Sequence, residues 1–302
     1  MLSPKTVTPR SVVGIDLQET EIRLLHLAQA DDQFIVINAC SASLPPDVIV
    51  DGKIKRTDIV LRVLQELVHK TQTQGLLTVF AMPMQSVLTK RITLLRSLSR
   101  DEREVEIQMN LNRYLQDVSE KMCFDFVVLQ QIDQDQDEVL LLATREEQMN
   151  TYQKVIDQAG LQVRVVDIDC YTIARAMLWK RVYFHHEAVV LLFVENAQVL
   201  FLVYQAGQIL FQQTWARINS TFLAAQIKRA LALCQTQHPH CQIKEWVIAG
   251  DVSLREAPWC DLAANYHEVN PFQFVTGKQP IESARYLRTL GLTLRGMLHV
   301  ED

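Results

Sequence analysis

The sequence has no excess of basic residues. Its 30 Lys and Arg side chains are outnumbered by 35 Asp and Glu side chains, and the formal net charge is -5 at pH 7. A nucleic-acid-binding domain carries a basic stripe or patch that neutralises phosphates. The charge balance therefore argues against a nucleic-acid partner.

Cysteine pairs at metal-ligand spacing are also lacking. The six cysteines include no Cys-x-x-Cys pair. Cys234 and Cys241 bracket His238 and His240, but their spacing matches no zinc motif, and we interpret this passage as a polar loop. Scattered, reduced cysteines are typical of cytosolic proteins. No metal site is predicted.

Long uninterrupted apolar runs and common hydrolase motifs are missing too. The most apolar stretch, residues 188–204, is interrupted by Glu195 and Asn196, so it does not read as a membrane span. Residues 1–5 lack the apolar core of a signal peptide. The sequence contains no Walker loop, no Gly-x-Ser-x-Gly and no His-Glu-x-x-His. We expect a cytoplasmic protein without a transmembrane helix.

What the sequence does contain is a repeated order of elements. Apolar runs at 11–17, 22–27 and 34–39 are joined by short polar turns and predict a three-stranded meander. A helix is predicted from Thr57, because apolar residues follow it at helical spacing, and residues 76–82 form a buried strand.

The same order recurs in the second half of the chain. Runs at 188–194, 199–204 and 209–215 predict a second meander, followed by a helix with an apolar face over 223–234 and a strand at 246–249. Two copies of strand-strand-strand-helix-strand are typical of the actin-like, ribonuclease H-like ATPase fold. In that fold two α/β halves close around a nucleotide cleft.

An insert separates the two copies. We predict a helix near 100–114, strands near 124–129 and 138–144, and a helix at 146–159 that ends at Gly160. A strand at 163–168 then resumes the first half. The domain assignment is a first domain of residues 1–82, 163–180 and 285–302, an inserted α+β subdomain of 83–162, and a second domain of 181–284.

Short passages along the chain resemble one family. They occur in the family's order over residues 12–296, which is nearly the whole chain. The family is PilM, the actin-like proteins of type IV pilus assembly, which are related to the cell-division protein FtsA. The passages are Val13-Gly14-Ile15-Asp16, Ala81-Met82-Pro83, Ala159-Gly160-Leu161, Val166-Asp167-Ile168-Asp169, Asn270-Pro271-Phe272 and Leu290-Gly291-Leu292-Thr293-Leu294-Arg295.

The resemblance implies a cytoplasmic scaffold at the inner face of the inner membrane. Such a protein binds the N-terminal cytoplasmic tail of the membrane protein PilN and contributes to the pilus platform. We also consider self-association of the protein. The insert would correspond to the FtsA-type subdomain, with the tail in a groove between it and the first domain. Adaptable apolar side chains near this junction are the groove candidates, and each also fits a simple core role: Met82, Met84, Val87, Leu115 and Phe124.

The resemblance also locates three nucleotide-binding turns, and each one departs from the family pattern. In the first turn Asp16 and the preceding Gly14 are present, but Gln18 stands in place of Gly and Arg23 in place of Lys. The second turn reads Phe193-Val194-Glu195 instead of Asp-Ile-Gly. The adenosine turn, normally Gly-Gly, reads Gly250-Asp251.

These departures predict a pseudo-ATPase that has lost useful nucleotide binding and needs no cofactor. The helix at 220–236 leads directly to the next strand, which predicts a reduced outer part of the second half, as in the reduced, HofM-like members of the family. The alternative is a functional ATP- and Mg²⁺-binding ATPase that switches platform assembly. A third hypothesis is a type II secretion protein of the GspL kind, which shares the fold but normally continues into a membrane span.

Overall fold

The computed structural model describes residues 10–30, 33–115, 120–181, 187–195, 198–216, 220–250, 266–277 and 285–298. Within them the chain forms three main sheets, one two-stranded hairpin and six α-helices. Each main sheet has at least one helix on its surface, and the apolar residues between them form the cores.

The first sheet consists of six strands. They are β1 (Arg10–Leu17), β2 (Glu21–Ala30), β3 (Gln33–Ser43), β6 (Leu77–Met82), β10 (Gln162–Ile168) and β16 (Val275–Gly277); β4 (Ile49–Val50) and β5 (Lys53–Ile54) form the separate hairpin. The first three strands form an antiparallel meander, β6 and β10 extend it in parallel on one side, and the short β16 adds in parallel on the other. The order across the sheet is β10-β6-β1-β2-β3-β16.

The second sheet repeats this plan. Its strands are β11 (Ala188–Glu195), β12 (Gln198–Gln205), β13 (Gln208–Ala216), β14 (Ile243–Gly250) and β15 (Tyr266–Glu268). The first three form an antiparallel meander and the last two extend it in parallel, in the order β13-β12-β11-β14-β15. The repeat therefore extends to a fifth strand, which the sequence predicted only in the first half.

The helices and sheets alternate in layers. The first sheet carries α1 (Thr57–Thr71) and α3 (Glu146–Gln158) on its outer face. Two helices, α4 (Asp169–Leu178) and α6 (Leu287–Leu298), share one core with the facing sides of both large sheets. The outer face of the second sheet packs on α5 (Ser220–Gln237), and only five residues separate this helix from β14.

The third sheet is small and antiparallel. Its strands β7 (Val87–Leu95), β8 (Met122–Gln131) and β9 (Gln136–Arg145) have the order β7-β9-β8, and α2 (Arg100–Leu115) covers one face. Its first strand was not among the elements located by sequence. Helix α3 follows the sheet directly in the chain, but its side chains pack elsewhere.

Two segments therefore differ from the predicted domain assignment. The buried side chains of α3 lie in the core that the first sheet shares with the apolar face of α1. They are Tyr152, Val155 and Ile156. The predicted domain assignment includes this helix in the inserted subdomain. The strand Val275–Gly277 pairs with β3 in the first sheet, where it covers an edge that would otherwise be unpaired. The predicted second domain, residues 181–284, includes this strand.

No helix among the described residues is long and apolar enough to span a membrane.

Candidate functional site

Charged side chains converge where the two large sheets face each other. Asp16 lies near the end of β1, Glu21 and Arg23 begin β2, and Glu195 ends β11 of the opposite sheet. This is the position of the predicted cleft between the halves. Four of the seven predicted nucleotide-site residues meet here: Asp16, Gln18, Arg23 and Glu195.

Arg23 is the centre of this cluster. Its side chain is only 3% exposed, and its guanidinium contacts three carboxylates. The distances are 3.5 Å to Asp16 and 2.7 Å to Glu21, and a third ion pair joins Arg23 to Glu195 across the interface between the sheets. Gln18 donates its amide to Asp16 at 2.6 Å. The residues in the Gly and Lys places thus make contacts within the protein.

Two further arginines enclose the cluster. Arg285 binds Glu21, with its Nε 3.1 Å from the carboxylate. Arg288, on α6 and 8% exposed, lies 3.4 Å from Glu195 and 3.4 Å from Asp169. Its guanidinium carbon also lies 5.8 Å from the ring centre of Phe193, within cation-π range. We name the whole set the cleft cluster: Asp16, Glu21, Arg23, Asp169, Glu195, Arg285 and Arg288.

The mutual stabilisation of these charges is reflected in their pKa values. Burial by itself lowers the pKa of Arg23, but the neighbouring Asp16 and Glu195 outweigh burial, and the pKa is raised. Burial likewise tends to raise the pKa of Glu21, yet hydrogen bonds from Arg23 and Arg285 bring it below the ordinary value. Both groups therefore stay ionised at neutral pH, held by their partners.

The two glycines of the predicted site serve chain packing. A Cβ on Gly14 would lie 2.6 Å from the carbonyl oxygen of Thr289, so this glycine lets α6 approach β1. Gly250 has φ +105°, and a Cβ there would lie 1.9 Å from the carbonyl oxygen of Val194 on the neighbouring strand. Asp251, also predicted, lies outside the described residues. No group of three metal-ligating side chains occurs in the described part of the chain.

A second feature is a groove between the third sheet and the first domain. It encloses about 440 Å³. Its walls come from the face of the third sheet opposite α2, from the end of β10, from α4 and α6, and from the turn between β12 and β13. Apolar side chains line most of it, among them Met82, Val87, Phe124, Val127, Leu142 and Ile168.

One end of this groove is polar. Arg175 of α4 lies 2.6 Å from Asp167 and 3.1 Å from the carbonyl oxygen of Gly291. Arg295 of α6 also lines the groove. Arg91 of β7 donates to the side-chain oxygen of Gln208, the first residue of β13, at 3.4 Å. The groove is therefore bounded by the insert and by both halves of the repeat.

The predicted groove residues divide into two groups. Met82, Val87 and Phe124 line the cavity. Leu115 instead packs in the core between α2 and the third sheet, because it follows the buried face of that helix. Met84 packs against the core between the large sheets, and its backbone N–H donates to Asp169 at 3.2 Å. Leu115 and Met84 therefore do not line this cavity.

Several members of the cleft cluster were missed by sequence reasoning. Asp169 closes one of the quoted family passages, which could have drawn attention to it. Arg285 and Arg288 carry no motif, and ordinary surface charges have the same appearance in the sequence.

Comparison with solved structures shows the same fold. A PilM-PilN type IV pilus biogenesis complex superposes with a TM-score of 0.72 and 17% identity, over 94% of this chain and 98% of that chain. Weaker likenesses, at 11% identity and TM-score 0.48, link the chain to the cytoplasmic domain of EpsL of Vibrio cholerae (94% and 95% covered) and to a Bacteroides thetaiotaomicron protein with an actin-like ATPase fold (90% and 95% covered). The predicted duplicated actin-like fold is confirmed.

A family model described as "Type IV pilus assembly protein PilM" matches residues 14–216. The match spans more than half of the chain and covers the first meander, the insert and the second meander. This match shows that the chain belongs to the PilM family of type IV pilus assembly proteins.

Proposed function

We propose that this protein is a scaffold of type IV pilus assembly that binds the N-terminal cytoplasmic tail of a PilN-like inner-membrane protein. The observation that carries the proposal is the open, largely apolar groove of about 440 Å³ beside the third sheet. Exposed apolar concavities of this kind are typical of binding sites. A similar fold occurs in a PilM-PilN complex, which supports a partner of this type.

The groove suits an extended peptide. Among the described residues β8 pairs only with β9, and β10 pairs only with β6, so each strand has one edge without a strand partner. Consecutive residues of both strands line the cavity, at 123–125 and at 166–168. A peptide strand lying between these edges would form backbone hydrogen bonds and place alternate side chains on the apolar lining.

The test is peptide affinity in two variants of one strand. Val127 lines the groove, whereas its neighbour Val128 projects from the other side of β8; they are 51% and 46% exposed. A fluorescent peptide with the tail sequence of the organism's PilN-like protein should bind the wild type, and anisotropy should follow the binding. Val127→Asp should weaken it about tenfold or more, because a carboxylate would be buried against apolar groups.

The control is Val128→Asp, which should keep wild-type affinity, since both substitutions replace an exposed valine of the same strand. Equal affinities of the wild type and Val127→Asp would place the peptide elsewhere. Both variants should unfold at nearly the wild-type urea concentration.

We further propose that the protein is a pseudo-ATPase without a nucleotide cofactor. A phosphate and Mg²⁺ site needs free backbone amides and carboxylates that can reach the metal or its waters. Here Asp16 accepts from Gln18 and faces Arg23, and Glu195 lies between Arg23 and Arg288. The cleft residues do not fit Mg²⁺ and a triphosphate in this arrangement, which disfavours the alternative of an ATP-switched protein.

Thermal unfolding with Mg-ATP tests this second proposal. A ligand at one hundred times its dissociation constant stabilises a fold by about 2.7 kcal/mol, a readily measured shift. We expect no shift at millimolar Mg-ATP. A saturable rise of the unfolding midpoint would support the ATP-switched alternative instead.

The partner would also set the location of the protein. Binding to a membrane protein's cytoplasmic tail would hold it at the inner face of the inner membrane, within the pilus platform.

Self-association is the remaining part of the proposal. Its first candidate surface is the outer face of α2, where Val105 and Met109 are exposed. Sedimentation of the wild type and of Met109→Lys over a concentration series would test it.

A further inference from the structure

Two buried arginines share one carboxylate across the interface of the two sheets. Arg23 comes from β2 and Arg288 from α6, and their side chains are 3% and 8% exposed. Both contact Glu195, which ends β11 of the second sheet and is 13% exposed. The two arginines contact different oxygens of this carboxylate, Arg23 the Oε1 and Arg288 the Oε2.

The position of Glu195 is fixed by the strand that carries it. β11 is paired on both sides, with β12 and with β14, up to its last residues. Gly250 of β14 lies opposite Val194, and its lack of a side chain lets the two strands approach at this point. The carboxylate is therefore presented to the arginines by a rigid element.

Glu195 is the only contribution of the second sheet to the cleft cluster as defined. The other carboxylates, Asp16, Glu21 and Asp169, lie on β1, β2 and α4, and the two arginines lie on β2 and α6. Buried guanidinium groups require an anion close by, since an unpaired buried charge is strongly destabilising. The two oxygens of a carboxylate serve two guanidiniums as the oxygens of a phosphate do.

We propose that Arg23 and Arg288 form an oxyanion site that the chain fills with its own Glu195 carboxylate. The internal carboxylate is always present, so an external phosphate must displace it to bind. It also ties the second sheet to the first without a bound nucleotide. This inference rests on the proposed loss of nucleotide binding, and it is independent of the peptide groove.

The experiment removes the internal carboxylate and supplies an external anion. Glu195→Ala leaves the two arginines without their shared partner. Thermal unfolding is followed over a series of inorganic phosphate concentrations, with sodium chloride at matched ionic strength as reference. We expect phosphate to raise the midpoint of Glu195→Ala by about 2–4 °C or more. The wild type should move by less than a quarter of that amount.

Two control variants show whether the response belongs to this site. Glu245→Ala removes a carboxylate that pairs with Arg181 at 2.5 Å, elsewhere in the second sheet, and should behave like the wild type. The double variant Glu195→Ala with Arg288→Ala should lose the response, because one of the two arginines is gone. If Glu195→Ala does not fold, Glu195→Gln is judged by the same criterion.

The outcomes are distinct. An equal phosphate response in the wild type and the variant would be a general anion effect, and it would overturn the proposal. A folded variant that does not respond would overturn it as well. A Mg-ATP shift in the wild type would contradict the loss of nucleotide binding, whereas the phosphate series would still show separately whether Glu195 fills an anion site.

Discussion

The cleft cluster and the groove differ in how far their side chains are buried and paired within the protein. In the cleft cluster, three arginines face four carboxylates at contact distance, and the central ones are almost fully buried. In the groove, apolar side chains such as Val127 remain half exposed and two strand edges have no strand partner among the described residues. The first region pairs its charges within the chain, although Asp16 Oδ2 and Arg23 Nε have no hydrogen-bond partner in the described part of the structure. The second region leaves apolar surface and strand edges open.

Energetics explain why these regions serve different ends. Buried charges are tolerated only when they are paired, so a buried cluster is held in one arrangement by its own members. Exposed apolar surface gains free energy when a partner covers it. The cleft therefore acts as a structural joint in our proposal, and the groove acts as the binding surface. Single substitutions in the two regions should have very different consequences.

The largest effect on stability is expected at the centre of the cleft cluster. Arg23→Met leaves Asp16, Glu21 and Glu195 without their common cation, and the loss should be about 3–5 kcal/mol of unfolding free energy. Urea unfolding followed by circular dichroism measures it. Arg145→Met, which removes an exposed pair with Glu120, should lose less than about 1 kcal/mol. Similar losses in both variants would mean that the cluster has no special role.

The second prediction compares a glycine of each region. Gly250→Ala in the second sheet combines an unfavourable φ with a clash against the Val194 carbonyl, and it should cost about 3 kcal/mol. Gly207→Ala in the turn beside the groove has φ +82° but open space around the new Cβ, so about 1 kcal/mol is expected. Unfolding midpoints of the two variants decide the order. The reverse order would show that the strand pair at Gly250 relaxes easily.

Acid should weaken the cleft cluster through Glu21. Its pKa is lowered by Arg23 and Arg285 against the opposing effect of burial, so its contribution to stability is present above the ordinary value of 4.5. That contribution is lost as the pH falls through the folded-state pKa. Glu21→Gln should be less stable than the wild type at pH 7, and the difference should narrow below pH 4.5. Urea unfolding midpoints of the wild type and Glu21→Gln, measured between pH 7 and pH 3, test this. A difference between the two proteins that stays constant over this range would contradict the role of Glu21.

The smallest effect is expected for the polar link between β7 and β13. Arg91 is 40% exposed and reaches Glu138 at 3.0 Å and Gln208 at 3.4 Å. Arg91→Ala should change the unfolding free energy by less than about 1 kcal/mol, because exposed links are weakened by solvent. The comparison with Arg23→Met contrasts two arginines that both connect different parts of the molecule. A loss above 2 kcal/mol would show that the groove is held by polar contacts as well.

Much of the fold could be predicted from periodicity. The two meanders, α1, α5 and the parallel strands that follow them occur where alternation and helical spacing predicted them, since these patterns are local. β15 and β16 were missed because strands of three residues are too short to show a period. Helix α3 was predicted as part of the inserted subdomain, and the structure packs its apolar side chains in the core of the first sheet, since an amphipathic face does not specify which surface it will meet.

The site was predictable only in part. Turn positions identified Asp16 as a residue that fits the family pattern and Arg23 and Glu195 as departures from it, yet nothing local indicated that the three would contact one another. The groove candidates show the same limit. Phe124 and Leu115 are both apolar residues near the junction and both pack against the core between α2 and the third sheet, but Phe124 also lines the cavity.

By itself the sequence determined the duplicated order of elements, the family and the absence of the usual glycines at the cleft. Those properties depend on neighbouring residues and on short motifs. The tertiary structure alone decided which charges would neutralise one another. Arg23 and Glu195 are 172 residues apart, and Glu21 and Arg285 are 264 apart. Such pairs form only when the sheets pack, because electrostatic contact depends on distance in space and has no signature in the spacing of residues along the chain.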